Sequence, residues 1–194
     1  MDDFWLYLKL GFDHVLDWNA YDHVLFLTVL VASYSFKQSK KVIWLVTLFT
    51  IGHILSLAIS AYDILRINSA IIEFLIPVSI IFTGIYNIFT AGKSTGKSKF
   101  DLLYVVTFFF GLVHGFGFST YFNMLAKSSD NLFLMLVEFA LGIEIAQILV
   151  VFVVLLLSFI VQTIFRFSKR DWILVISSIV LGLTLPILVD NWIL

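Results

Sequence analysis

Long apolar runs alternate with short polar connections along this chain, and the runs have the length of membrane-crossing helices. A helix rising about 1.5 Å per residue needs about 20 mostly apolar residues to cross roughly 30 Å of hydrocarbon. Six runs approximate that length: Ala20 to Phe36, Val42 to Tyr62, Ala70 to Ala91, Leu102 to Leu125, Leu132 to Phe165 and Trp172 to Ile193. The connections read KQSKK, DILRIN, AGKSTGKSKFD, KSSDN and RFSKRD, and none is long enough to separate domains. The pattern predicts an all-α, polytopic transmembrane bundle of six spans forming one domain over residues 1–194. The fifth run exceeds one upright span, so it tilts or extends past the bilayer at its basic end.

Ahead of the first run, residues 1–19 begin MDDFWLYLKLGFDH, acidic and without the basic region that precedes the apolar core of a secretory signal. Phe4, Trp5, Tyr7, Leu8 and Leu10 suit a short helix lying at the outer interface, with rings at headgroup level. His14 would then sit near the outer boundary.

Composition sharpens this picture. Hydrophobic residues make up 61% of the chain and charged ones 13%, outside the range of a soluble domain. The formal charge of -1 conceals an asymmetry. Lys37, Lys40 and Lys41, then Lys93, Lys97 and Lys99, then Arg166, Lys169 and Arg170 fall in alternate loops, which the positive-inside rule places in the cytoplasm. Lys9, Arg66 and Lys127 fall on the other side with both termini. That distribution speaks for membrane topology in a lipid bilayer and against a nucleic-acid surface. The chain has no cysteine, which excludes disulfides and thiolate chemistry.

The polar residues left inside the spans carry the chemistry, because ionisable groups in a bilayer are costly and usually face a bundle interior or a wet cavity. Asp22 and His23 lie just inside the outer end of the first span, and His53 lies near the middle of the second. Glu73 is about a turn from the outer end of the third, and His114 is central in the fourth. Glu138 and Glu144 enter the fifth from its outer side. Every one of these depths falls in the outer half or at the midplane, giving a funnel of imidazoles and carboxylates that opens outward. A single membrane histidine is often only an interhelical hydrogen-bond partner. All four histidines of the protein, however, belong to this set, together with Asp17 beside His14.

Imidazoles with carboxylates, and no thiol, suit zinc, nickel, copper or iron, with a neighbouring acid orienting the distal ring nitrogen. Asp22 and His23 point about 100° apart on a helix, so one would bind the ion and the other support it. Gly111, Gly115 and Gly117 around His114 permit close helix packing. Pro77 and Pro186 inside spans read as kinks. GKSTGKS lacks the spacing and the preceding strand of a phosphate loop and reads as a flexible connection.

The motifs HVLDWNAYDHVLFL, FTIGHILSLAIS, IIEFLIPVSIIFTGIYN, FGLVHGFGFS and LGIEIAQ occur in this order. Over roughly residues 11 to 150 the chain resembles the HupE/UreJ family of bacterial membrane proteins, in its second, broader branch. The resemblance implies a nickel- or cobalt-type permease in a bacterial inner membrane. It carries over His14, Asp22, His23, His53, His114 and Glu144 as metal-binding positions, and Glu73, Asn87 and Gln147 as supporting or pathway positions. This chain departs from the better-known permeases by the seven residues between His14 and Asp22 and by the absence of an acid soon after His114.

Three functions remain open at this point. A permease would capture a divalent ion (nickel, cobalt or zinc) from outside and pass it inward past His53 and His114, where Asn87, Thr83, Ser79 and Gln147 supply sparse polarity. An intramembrane zinc hydrolase or transferase acting on a lipid or membrane peptide would hold the ion in place and use Glu73, Glu138 or Glu144 as general base. A non-catalytic subunit would use buried polar groups to assemble a homo-oligomer or a larger membrane complex.

Overall fold

The computed structural model describes residues 2–93, 102–127 and 131–192. Seven helices appear among them: α1 Asp2–Val15, α2 Asp22–Val31, α3 Ser39–Ala61, α4 Ser69–Thr90, α5 Leu102–Ala126, α6 Leu132–Thr163 and α7 Lys169–Asp190. A 3-10 turn, Phe36–Gln38, leads into α3. Most of the GKSTGKS connection lies outside the described residues.

Local chemistry sets the helix ends. Asn68 accepts a hydrogen bond from the Ala70 N–H at the start of α4, and Asn131 accepts from Leu134 N–H at the start of α6. Ser168 and Asp171 form a reciprocal capping box on α7. At the end of α3, Asp63 adopts a positive φ of 56°. Asp63 N–H then reaches Ser60 O and Ile64 N–H reaches Ile59 O, which satisfies carbonyls that the helix leaves open.

Helices α3 to α7 are long and apolar enough to cross a bilayer, which makes this a multi-pass membrane protein. Their outward faces carry exposed Trp44, Phe82, Phe109, Phe133, Phe152 and Leu183, a belt suited to lipid. α6, with 32 residues, is about 48 Å long, as expected for the overlong fifth run.

The first predicted span is corrected. In place of a helix over residues 20–36, α2 has ten residues, about 15 Å, too short to cross. Its end is held by α4: Asn87 donates from Nδ2 to Val29 O at 2.6 Å, while Ser33 Oγ donates to Asn87 Oδ1 at 3.2 Å. A side chain thereby takes over a carbonyl at the open end of the helix. α2 is apolar on all sides and buries His23, Leu25, Phe26, Leu27, Val29, Leu30 and Val31, as befits a helix inside a bundle.

α1 also differs from expectation. It packs along α6, where a Cβ on Gly11 would fall 2.2 Å from Phe139 O and one on Gly142 would fall 2.0 Å from Leu8 O. These contacts, with the His14 ring beside Phe139, run α1 antiparallel to α6. The start of α1 is therefore turned toward the end of the bundle where α6 finishes, and His14 toward the opposite end. The expectation of both termini at one end and of a helix lying across the outer surface gives way to a short helix aligned with α6.

α3 and α5 cross equally closely. Added Cβ atoms would meet Phe108 O at 2.3 Å from Gly52, Phe49 O at 2.2 Å from Gly111 and His53 O at 2.2 Å from Gly115. Lipid offers no hydrophobic drive for helix association, so such close packing and interhelical polar bonds hold the bundle. Gly115→Ala is expected to lower stability by about 1–3 kcal/mol, because the His53 backbone, which cannot turn aside, opposes the new methyl along with the Ser56 hydroxyl. Thermal melting in detergent reads this; an unchanged transition would mean that the α3–α5 contact bears no load.

Candidate metal centre

Four helices bring the four histidines together. After α1, the Asp17 carboxylate accepts from Asn19 N–H at 2.9 Å and from its side-chain amide at 3.2 Å, turning the chain back on itself. The last turn of α1 and the first turn of α2 thereby face each other, with His14 and His23 ring centroids 4.6 Å apart. His53, at mid α3, lies 5.4 Å from His14 and 5.6 Å from His23. His114, at mid α5, lies 5.1 Å from His23. The glycine-mediated crossing of α3 and α5 makes this possible, since Gly115 beside His114 lies against the backbone of His53.

His14, His23 and His53 each offer a nitrogen within 4.8 Å of the others. Nitrogens held about 2.0–2.1 Å from one tetrahedral ion are roughly 3.4 Å apart, so small ring rotations would close the set. Ring tautomers are oriented for it. His23 Nδ1 lies 3.1 Å from Asp22 Oδ1, and His114 Nδ1 lies 2.8 Å from Phe110 O. In the neutral ring each Nδ1–H donates to that oxygen, leaving Nε2 with its lone pair.

The unpaired nitrogens carry the chemical argument. His14 Nε2, His23 Nε2, both nitrogens of His53 and His114 Nε2 are buried without a hydrogen-bond partner. Each such group costs about 1–3 kcal/mol; because a neutral imidazole keeps one N–H, the five nitrogens hold at most four lone pairs, one per ring, and these call for a ligand that accepts lone pairs. A transition-metal ion does so. Aromatic walls enclose the group: Phe118 lies 4.0 Å from the His14 ring, Phe49 lies 5.1 Å from His114, and Phe139 stacks on Phe118. Counting polar depth alone misses Phe118, because aromatics in a membrane protein read first as lipid contact.

A cavity of about 550 Å³ opens beside His14 and is lined by Asp13, Asp17, Trp18, Phe118 and Tyr121 among others. Asp13 pairs with Lys9, while Asp17 faces the cavity from the turn. The result is an acidic vestibule with an imidazole at its wall.

The other expected residues lie elsewhere. Glu73 is exposed on α4. Asn87 anchors α2, and Ser79 and Thr83 donate to carbonyls of their own helix, so they offer little to a passing ion. Glu138 is buried on α6 next to Phe139. Glu144 and Gln147 are joined to Thr47 and Thr50 in a separate group, apart from the imidazoles where Glu144 was expected.

Comparison with known proteins adds the family. No curated protein and no solved structure matches the chain. A family model described as HupE / UreJ protein matches residues 1–190 of the 194, covering every helix above. With nearly its whole length matched, the chain belongs to the HupE/UreJ family.

Proposed function

We propose that this protein is a permease for a divalent transition-metal ion of the nickel or cobalt type, drawing the ion through the acidic vestibule onto the histidine cluster. The HupE/UreJ family is one of nickel- and cobalt-transport-related membrane proteins, which supports the reading. The observation that carries it is the convergence of unpartnered imidazoles from four helices behind a cation-attracting cavity. The ion is the cargo. Asp13 and Asp17 raise its local concentration, His14 meets it at the cavity wall, and His23, His53 and His114 replace its water shell.

Orientation follows the charges: basic connections in the cytoplasm and the vestibule turned outward, in a bacterial inner membrane. The hydrolase alternative needs a carboxylate beside a metal-bound water. Exposed Glu73 and hydroxyl-bound Glu144 are poorly placed for that, which leaves buried Glu138 as the one carboxylate of the three for a hydrolase to use.

Proteoliposomes test the reading directly. Vesicles containing the protein are expected to accumulate nickel or cobalt faster than empty vesicles, and uptake no faster than in empty vesicles for nickel, cobalt and zinc alike overturns it. The vestibule makes a further prediction. Asp13→Asn with Asp17→Asn is expected to slow uptake several-fold at low ionic strength and to match the parent protein at high salt, because screening removes long-range attraction. An equal deficit at all salt concentrations would assign these acids to turn structure instead.

A further inference from the structure

Polarity continues inward from the imidazoles along α3. Thr50 and Thr47 follow His53 at three-residue steps, each about 4.5 Å along the axis. Opposite them, α6 presents Glu144 and Gln147. Thr47 Oγ1 donates to Glu144 Oε1 at 2.7 Å, and Thr50 Oγ1 lies 2.5 Å from Glu144 Oε2 and 3.1 Å from Gln147 Oε1.

Counting protons exposes a shortfall. Thr50 has one hydroxyl hydrogen, yet three oxygens surround it, the third being Val46 O at 3.3 Å. The fully buried Gln147 also leaves Nε2 without a partner. Turning the amide over gives Nε2 to the Thr50 hydroxyl and moves the shortfall to Oε1. With Oε1 toward Thr50, that oxygen and Glu144 Oε2 share one hydroxyl proton; with the amide turned over, Nε2 serves the hydroxyl and Oε1 is the buried atom left without a partner, so in both cases an amide oxygen is free to take a cation. A cation supplies the missing positive charge, and Glu144 supplies the one formal negative charge of the group.

We propose that Thr47, Thr50, Glu144 and Gln147 form a second cation site, one that takes a divalent ion through oxygen donors on the inward side of the histidine cluster. Its role as the next station for a transported ion rests on the permease reading, whereas its ability to bind does not. Imidazoles favour nickel, cobalt or zinc, while carboxylate, hydroxyl and amide oxygens bind divalent ions with less discrimination. Selection at nitrogen followed by weaker holding at oxygen lets an ion leave the selective site inward.

Manganese, which prefers oxygen, separates the two sites. The metal-free protein in detergent is titrated with Mn²⁺ alone, and free ion is followed by its paramagnetic resonance signal. Parent protein and His114→Ala are expected to bind Mn²⁺ alike and Glu144→Gln to bind none. Thr50→Val, which keeps the shape and removes one oxygen, is expected to weaken binding about tenfold, and it serves should Glu144→Gln fail to fold. No Mn²⁺ binding by the parent, or equal binding by parent, Glu144→Gln and Thr50→Val, overturns the second site. Failure of nickel, cobalt and zinc transport with Mn²⁺ binding lost only in Glu144→Gln and weakened in Thr50→Val would retain this site and overturn the permease.

Discussion

His53→Ala protein, purified without a metal-affinity column, is expected to retain no nickel, cobalt or zinc under conditions in which the parent protein holds one ion. His53 belongs to the trio whose nitrogens already lie within 4.8 Å, and both of its ring nitrogens lack partners. Removing it takes away one nitrogen donor of three and leaves two of the trio. Loss of a supporting residue alone typically costs 10–100-fold in metal affinity, so loss of a ligand is expected to cost more than about 100-fold. His114→Ala should be milder, since the trio of His14, His23 and His53 remains. Elemental analysis before and after chelator washing measures this, and metal content unchanged in both variants would refute the cluster as a metal site. The washing step also separates mechanisms. An ion that washes off and rebinds suits transit; one that survives chelation and vanishes only in the variants suits a fixed, catalytic centre.

Span existence was legible in the chain wherever about 20 apolar residues ran between polar connections, which covers α3 to α7. It failed over residues 20–36 for a physical reason. An apolar run records that a segment is shielded from water, and it does not distinguish a lipid-spanning helix from a shorter one wrapped by protein. The open end of α2 is met by Asn87, distant in sequence, which donates to Val29 O. Searching the spans for ionisable groups selected all four histidines, whose rings the fold brings together. The direction each side chain faces was not legible: Glu144 meets the threonines of α3 and not the imidazoles. Thr47 and Thr50 escaped notice because hydroxyls in membrane helices usually bond back to their own backbone. Gly111 and Gly115 read correctly as close-packing positions, since a missing Cβ in an apolar helix has few other uses.

Asp22→Asn is expected to weaken metal binding by about 10–100-fold while leaving the metal-free protein as stable as its parent. The Asp22 carboxylate accepts from His23 N–H at 2.8 Å and approaches His23 Nδ1 at 3.1 Å through the same oxygen. An asparagine oxygen there can keep both bonds, so the fold and the His23 tautomer survive the substitution. Negative charge is what disappears. A divalent ion bound by neutral imidazoles brings two positive charges into a poorly solvated place, and an uncompensated buried charge is expensive. Asp22 touches a ligand ring directly, so it is the anion best placed to offset the ion and to make that ring a stronger donor. Competition titration against a chromogenic chelator gives the affinity, and thermal melting of the metal-free proteins controls for folding. Equal affinities with equal melting would show that the carboxylate only braces the start of α2. Weakened affinity at unchanged melting would make Asp22 part of what holds the ion.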